Sequence, residues 1–341
     1  MSRFKIRIWG WAHQKGVTTN DSIAPHHTDW RKTSGDQGSR DGAFDPKTLI
    51  ESAARENAKL NQSIEDLRNQ LQIVHGMLAH ERHRVDSLLA GAEGILDEIE
   101  RFHEIRKSER YQAAFNASKP LISVLVATMD RCDLLIDRCI KSIRAQSYDN
   151  LQVIVVGDHC TDDTERRLAE LRDDRICFIN LTERGPYPRS REERRMVAGT
   201  YPANEALQLV EGGFITYLDD DDAYDPERIE ILLGAARKEK ADFVWHPHFW
   251  RQADGSWLPR GNGNLELGQV GLGMVMYHAY LGRIRQDVYA YRLKEPGDWN
   301  LIRKLKALRP RVHFVDKPLT YFFKDWTEIP FVDQPGEQFI E

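Results

Sequence analysis

Three regimes of apolar and polar positions succeed one another along the chain. Residues 1–45 hold no persistent period and are rich in Gly, Ser, Thr, Asp and His, which predicts a largely disordered tail. Within it, Phe4, Ile6 and Ile8 alternate with basic residues for a few positions only. From Ile50 to Phe102 the apolar residues fall on a heptad seam. Ile50, Asn57, Ile64, Leu71, Leu78, Val85, Ala92 and Ile99 occupy one seam position, and Ala53, Leu60, Leu67, Val74, Glu81, Leu88, Ile95 and Phe102 the other. The 3-4 spacing is cleanest from Leu60 to Leu78, and a lone Asn on such a seam fixes register in parallel dimers. A continuous helix here would be about 80 Å long, and Gly91 and Gly94 predict fraying or bending after about Leu89.

From Leu121 the period changes to short apolar runs alternating with helical stretches. Strands are predicted at Ile122–Ala127, Leu151–Val156, Ile176–Ile179, Phe214–Leu218 and Asp242–Trp245. Helices are predicted around Leu134–Ala145, Ala203–Val210 and Pro226–Lys240, with a last one near Asp298. Near-continuous apolar strands joined by helices imply an α/β domain with a mainly parallel sheet covered on both faces. The domain reading is therefore a tail at 1–45, a helical coiled-coil region at 46–102 and a linker at 103–119. An α/β domain follows at 120–330, then a tail at 331–341. A homodimer through the coil is the expected assembly; the alternative is an antiparallel helical hairpin.

Composition narrows the partners. A net charge of −5 leaves no electrostatic footprint for nucleic acid. The four cysteines, Cys132, Cys139, Cys160 and Cys177, have no metal-ligand spacing and read as reduced structural thiols. No apolar run is long enough to span a bilayer, and Arg3, Lys5 and Arg7 break the early apolar residues that a secretory signal would need. The expected location is the cytoplasm, with peripheral attachment to the inner membrane face as a variant.

The chemistry concentrates where the strand Phe214–Leu218 runs into four consecutive carboxylates, Asp219 to Asp222. Adjacent carboxylates repel each other, and a hard divalent cation relieves that repulsion. Open α/β sheets bind their ligands at the carboxyl ends of strands. Asp158 follows the second strand, and Thr128 ends the first. The basic segment 184–199 offers Arg189, Arg191, Arg194 and Arg195, whose guanidinium forks suit a diphosphate. His246 and His248 flank Pro247 and are read as packing residues ahead of metal ligands. Asp298, after Pro296-Gly297, is a natural helix cap on its own.

Four segments together resemble the family 2 glycosyltransferases of the GT-A fold: Ser123–Ala127, Val155–Thr164, Leu218–Asp222 and Gly297–Leu301. The resemblance runs from Leu121 to about Phe323. It implies an inverting transferase that moves a sugar from a nucleoside diphosphate, UDP being expected, to a glycan, lipid or protein hydroxyl. It implies Mn²⁺ or Mg²⁺ held by Asp219 and Asp221, with Asp220 and Asp222 as secondary candidates. Donor contacts would come from Ala127, Thr128, Asp158, Arg191, Arg194, Arg195, Asn204, Asp219 and Asp220, and Asp298 would be the general base. Two departures stand out: Gly157 replaces a customary Asp, and no His follows His313. An interaction protein built on the coil, with a degenerate transferase domain, is the alternative.

Overall fold

The computed structural model describes residues 46–92, 95–323 and 339–340. The tail expected at 1–45 and residues 324–338 lie outside them. The chain divides into two compact units, Met1–Arg68 and Asn69–Glu341. The described part of the first unit is helical and belongs to α1 (Pro46–Ala92). On α1 the seam residues Leu60, Ile64, Leu67, Leu71, Val74 and Leu78 are all exposed, Leu67 at 64%. Among the described residues no helix is long and apolar enough to cross a membrane.

The heptad does not continue through 102 as one exposed stripe. α2 (Ile95–Ile105) and α3 (Glu109–Asn116) bury Phe102, Tyr111 and Phe115 in the main hydrophobic core. Ser108 caps α3, its hydroxyl accepting from the Tyr111 amide. The stretch expected to be a linker thus folds as part of the α/β unit. Its anchor is Asp242, a buried carboxylate that accepts from the Tyr111 hydroxyl (2.7 Å), Arg106 (2.9 Å) and Arg311 (2.8 Å). The polar residues of 103–119 have the composition of a linker, but Arg106 and Tyr111 find their partner more than a hundred residues away.

The strands run in chain order β1 (Ile122–Thr128), β2 (Leu151–Gly157), β3 (Ile176–Asn180), β4 (Tyr187–Pro188), β5 (Phe214–Tyr217), β6 (Ala223–Tyr224) and β7 (Phe243–Trp245). They continue with β8 (His248–Arg251), β9 (Trp257–Arg260), β10 (Val275–His278), β11 (Val312–Phe314), β12 (Thr320–Phe322) and β13 (Phe339–Ile340). Seven build the central sheet in the order β11-β7-β10-β5-β1-β2-β3. β1 pairs in parallel with β2 and β5, and β2 with β3, whereas β10 lies antiparallel between β5 and β7. The expected mixed α/β class with a mainly parallel sheet is therefore the observed one. β1 is buried from Ile122 to Val126, as a strand covered on both faces must be.

A second sheet, β6-β12-β8-β9, carries an aromatic set that includes Phe249, Trp257 and Tyr321. The tail expected at 331–341 contributes β13, which pairs with β4. β1, β2 and β5 all end on the same side, where the neighbours of β1 diverge into separate connections; that is the crevice in which such sheets bind ligands.

Candidate active site

The carboxyl ends of β1, β2 and β5 open on a cleft of about 690 Å³, within the range of small-molecule sites. Its lining includes Ala127, Thr128, Asp158, Arg194, Arg195 and all of Asp219 to Asp222. Of the donor contacts expected from sequence, Arg191 and Asn204 are not in that lining. Arg191 is exposed at the start of the helix Arg191–Val197. Asn204 sits inside the helix Thr200–Ala206, and its amide clasps the backbone of Gln286, donating to the carbonyl and accepting from the N–H, both at 3.0 Å. That clasp is structural.

Asp158 is held by backbone first, its N–H donating to the Thr128 carbonyl across β1 and β2 (2.8 Å). Its Oδ2 accepts from the Tyr187 hydroxyl at 2.7 Å, with Arg184 Nε at 3.7 Å. Its Oδ1 is buried without a hydrogen-bond partner among the described residues. Burial raises its pKa, against the pull of Tyr187 and Arg184. An orphan buried acceptor costs on the order of 1–3 kcal/mol, which a ligand N–H would recover. Gly157 is accounted for as well. A Cβ there would stand 2.6 Å from Asn180 Oδ1 and 2.9 Å from Cys160 Sγ. Asn180 fills that space, bonding both the N–H and the carbonyl of Cys160 at 2.8 Å.

In the acidic loop, one carboxylate oxygen from each of Asp219, Asp221 and Asp222 lies within 4.8 Å of the others. Asp219 is exposed toward the cleft; Asp220, Asp221 and Asp222 are buried. Although Asp219 keeps an edge open to the cleft, desolvation by the surrounding walls and the neighbouring Asp221, Asp220 and Asp298 raise its pKa, and burial with Asp219 and Asp221 raises that of Asp222. Asp220 is pushed up to about 6 by burial, against the attraction of Arg131. This is a set of hard oxygen donors in mutual repulsion, and it fits Mg²⁺ or Mn²⁺. Asp222 joins Asp219 and Asp221 in the set, while Asp220 turns aside. Its Oδ2 accepts from Thr128 (2.8 Å) and its Oδ1 from Arg131 (2.6 Å).

Arg131 is the residue that sequence reasoning missed, although it stands only three positions after β1. Its second amino group donates to Asp221 Oδ2 at 2.6 Å. Arg138, in a π-helical turn at Leu135–Ile140, donates to the Asp221 carbonyl at 2.5 Å. π-helical turns recur at functional sites. Tyr187, Trp250 and Phe322 also line the cleft unannounced by any motif.

Arg194 is buried, its Nε donating to the Pro188 carbonyl at 3.1 Å, whereas Arg195 is exposed. Asp298 lies in the first turn of the helix Gly297–Ala307, whose cap position is Pro296. It is therefore not the cap that its sequence context allowed. Burial raises its pKa, and its charge is felt at Asp219. His246 is structural: Nε2 accepts from Arg228 Nε at 3.0 Å and Nδ1 lies 2.6 Å from the Pro247 carbonyl. His248 stacks on Phe322 with ring centroids 4.3 Å apart.

Comparison with known proteins finds a family match over part of the chain. Residues 123–285 match the model of glycosyl transferase family 2. Over 136 residues the chain is 31% identical to a chondroitin synthase of Escherichia coli, covering 39% of this chain and 18% of that protein. Over 120 residues it is 35% identical to the GalNAc(5)-diNAcBac-PP-undecaprenol beta-1,3-glucosyltransferase of Campylobacter jejuni, covering 34% and 32%. Over 130 residues it is 28% identical to the UDP-Glc:alpha-D-GlcNAc-diphosphoundecaprenol beta-1,3-glucosyltransferase of Escherichia coli, covering 38% and 46%. The matched stretch thus spans less than half the length of each of these relatives.

Proposed function

From a chain whose residues 123–285 are a glycosyl transferase family 2 domain, we propose an enzyme that moves a sugar from a UDP-sugar to a hydroxyl acceptor with inversion at C1. One observation carries the reading. A buried Asp158 with an orphan oxygen and a three-carboxylate cluster line one cleft at the strand ends, and Asp298, outside that lining, is near enough to act on the charge of Asp219. Asp158 Oδ1 accepts the imide N–H of the base, a charge-assisted bond that favours a uracil-type edge. The UDP donor also finds support in the name of one relative. Arg194 and Arg195 face the diphosphate. Asp219, Asp221 and Asp222 would hold Mn²⁺ or Mg²⁺, which when bound offsets the charge of the departing diphosphate.

Asp298 takes the proton of the acceptor hydroxyl as its oxygen bonds to C1. The bond from C1 to the phosphate oxygen breaks on the opposite face, and UDP leaves with the electron pair. A carboxylate with a raised pKa is the better base for that step, since its conjugate acid is closer to the operating pH. A second copy of the chain covers the exposed seam of α1 from Leu60 to Leu78, giving a homodimer.

The test is a thermal melt of the full chain with UDP and Mn²⁺, UDP and EDTA, and GDP or dTDP as controls. UDP with Mn²⁺ should raise the melting temperature clearly more than UDP with EDTA. Equal shifts with and without the cation would count against the carboxylate cluster as its site. No shift with any nucleotide would count against the transferase reading itself.

A further inference from the structure

Arg131 is placed unusually for a residue beside a candidate cation site. Its fork spans two carboxylates, Asp220 Oδ1 and Asp221 Oδ2, each at 2.6 Å. Its side chain is 17% exposed, and the two carboxylates are 5% and 9% exposed. Asp221 is at the same time a member of the three-carboxylate set. The guanidinium and a dication would therefore draw on the same carboxylate, and two cations sharing one anion repel. Thr128 completes the arrangement by donating to the other oxygen of Asp220, which fixes the carboxylate that steers the fork.

We propose that Arg131 is an internal counter-ion that competes with the divalent cation for Asp221, so that the cation binds together with the nucleoside diphosphate and not before it. The proposal rests on the UDP-sugar reading and adds an order of binding to it. Without a nucleotide the acidic loop is already partly neutralised, and its cation affinity is low. A diphosphate changes both sides of that balance. It brings oxygen ligands and negative charge to the cation, and it offers the fork, which lines the same cleft, an alternative acceptor suited to a guanidinium.

The experiment is a Mn²⁺ titration of the full chain, followed by calorimetry and by the electron paramagnetic resonance of free Mn²⁺, without nucleotide and with saturating UDP. For the natural protein, UDP should tighten Mn²⁺ binding by about tenfold or more. In Arg131→Met, Mn²⁺ should bind without nucleotide about tenfold more tightly than in the natural protein, and the further gain from UDP should shrink. Arg131→Lys, which keeps the charge without the fork, should fall between the two. An Arg131→Met protein that binds Mn²⁺ alone no better than the natural one overturns the proposal. If that variant does not fold, an Arg131→Lys protein with unchanged Mn²⁺ affinity does so instead. UDP that binds without any effect on Mn²⁺ also overturns it, while failure of UDP to bind at all refutes the transferase reading on which it rests.

Discussion

At the level of single residues, Asp298 separates two roles most cleanly. Its sequence context fits a helix cap, but Pro296 occupies the cap position and Asp298 stands near enough to raise the pKa of Asp219. Asp298→Asn keeps the shape and loses the ability to take a proton. Turnover, followed as UDP release with an accepted acceptor, should fall by roughly 10²–10⁴. The melting temperature and UDP affinity should stay near those of the natural protein, and near-normal turnover would remove Asp298 from the chemistry. The acidic run and Asp158 were legible because each follows an apolar strand directly. Arg131 was not, because nothing local marks an arginine whose partners lie so far along the chain. The gap at Gly157 was legible as a departure, but the reason for it was not. Only the folded sheet brings Asn180 into the space that a side chain at 157 would need.

At the level of elements, the heptad from Leu60 to Leu78 and the alternation after Leu121 announced helix and sheet correctly, since both rest on long periodic signals. The boundary between them was hidden. Ile99 and Phe102 continue the seam in sequence, yet Phe102 packs in the core of the α/β unit. β10 was hidden as well: four residues within a glycine-rich stretch give too short a period to read. Two truncations test the boundary. A chain starting at Ile95 should melt cooperatively, bind UDP and lose self-association by light scattering. A chain starting at Ala113 lacks Phe102 and Tyr111, and loss of one such buried aromatic typically costs about 3–5 kcal/mol. It should fail to give a cooperative melt; a normal melt from it would show that α2 and α3 are dispensable.

At the level of the whole molecule, stability should carry a histidine signature in acid. His278 stacks on Tyr111 with ring centroids 3.6 Å apart. Its Nδ1 accepts from the Tyr280 N–H (3.1 Å), so the proton sits on Nε2 and donates to the Tyr111 carbonyl (3.0 Å). A second proton would face an N–H donor, and burial pushes the pKa down to about 4. Between that value and the ordinary 6.5, the unfolded chain binds a proton that the native chain refuses, so this contribution to stability falls as pH falls. The raised pKa values of Asp219, Asp220 and Asp222 act in the opposite sense. The informative quantity is therefore the difference between natural protein and His278→Phe. From pH 7 to 4.5 it should move by about 2 kcal/mol in favour of the variant. A difference constant with pH, measured by urea unfolding, would show that His278 is not locked neutral.

The cage around Asp242 bears on how the chain is made. Its partners are Arg106, Tyr111 and Arg311, so it cannot close until almost the whole described sequence has left the ribosome. Until then Phe102, Tyr111 and Phe115 have no completed sheet edge to cover them, and a nascent chain in that state is prone to off-pathway association. The helix that precedes them emerges far earlier and nucleates on local contacts. If the proposed homodimer forms through α1, synthesis would thus bring two nascent copies together on a polysome through their helices before either had a finished α/β unit.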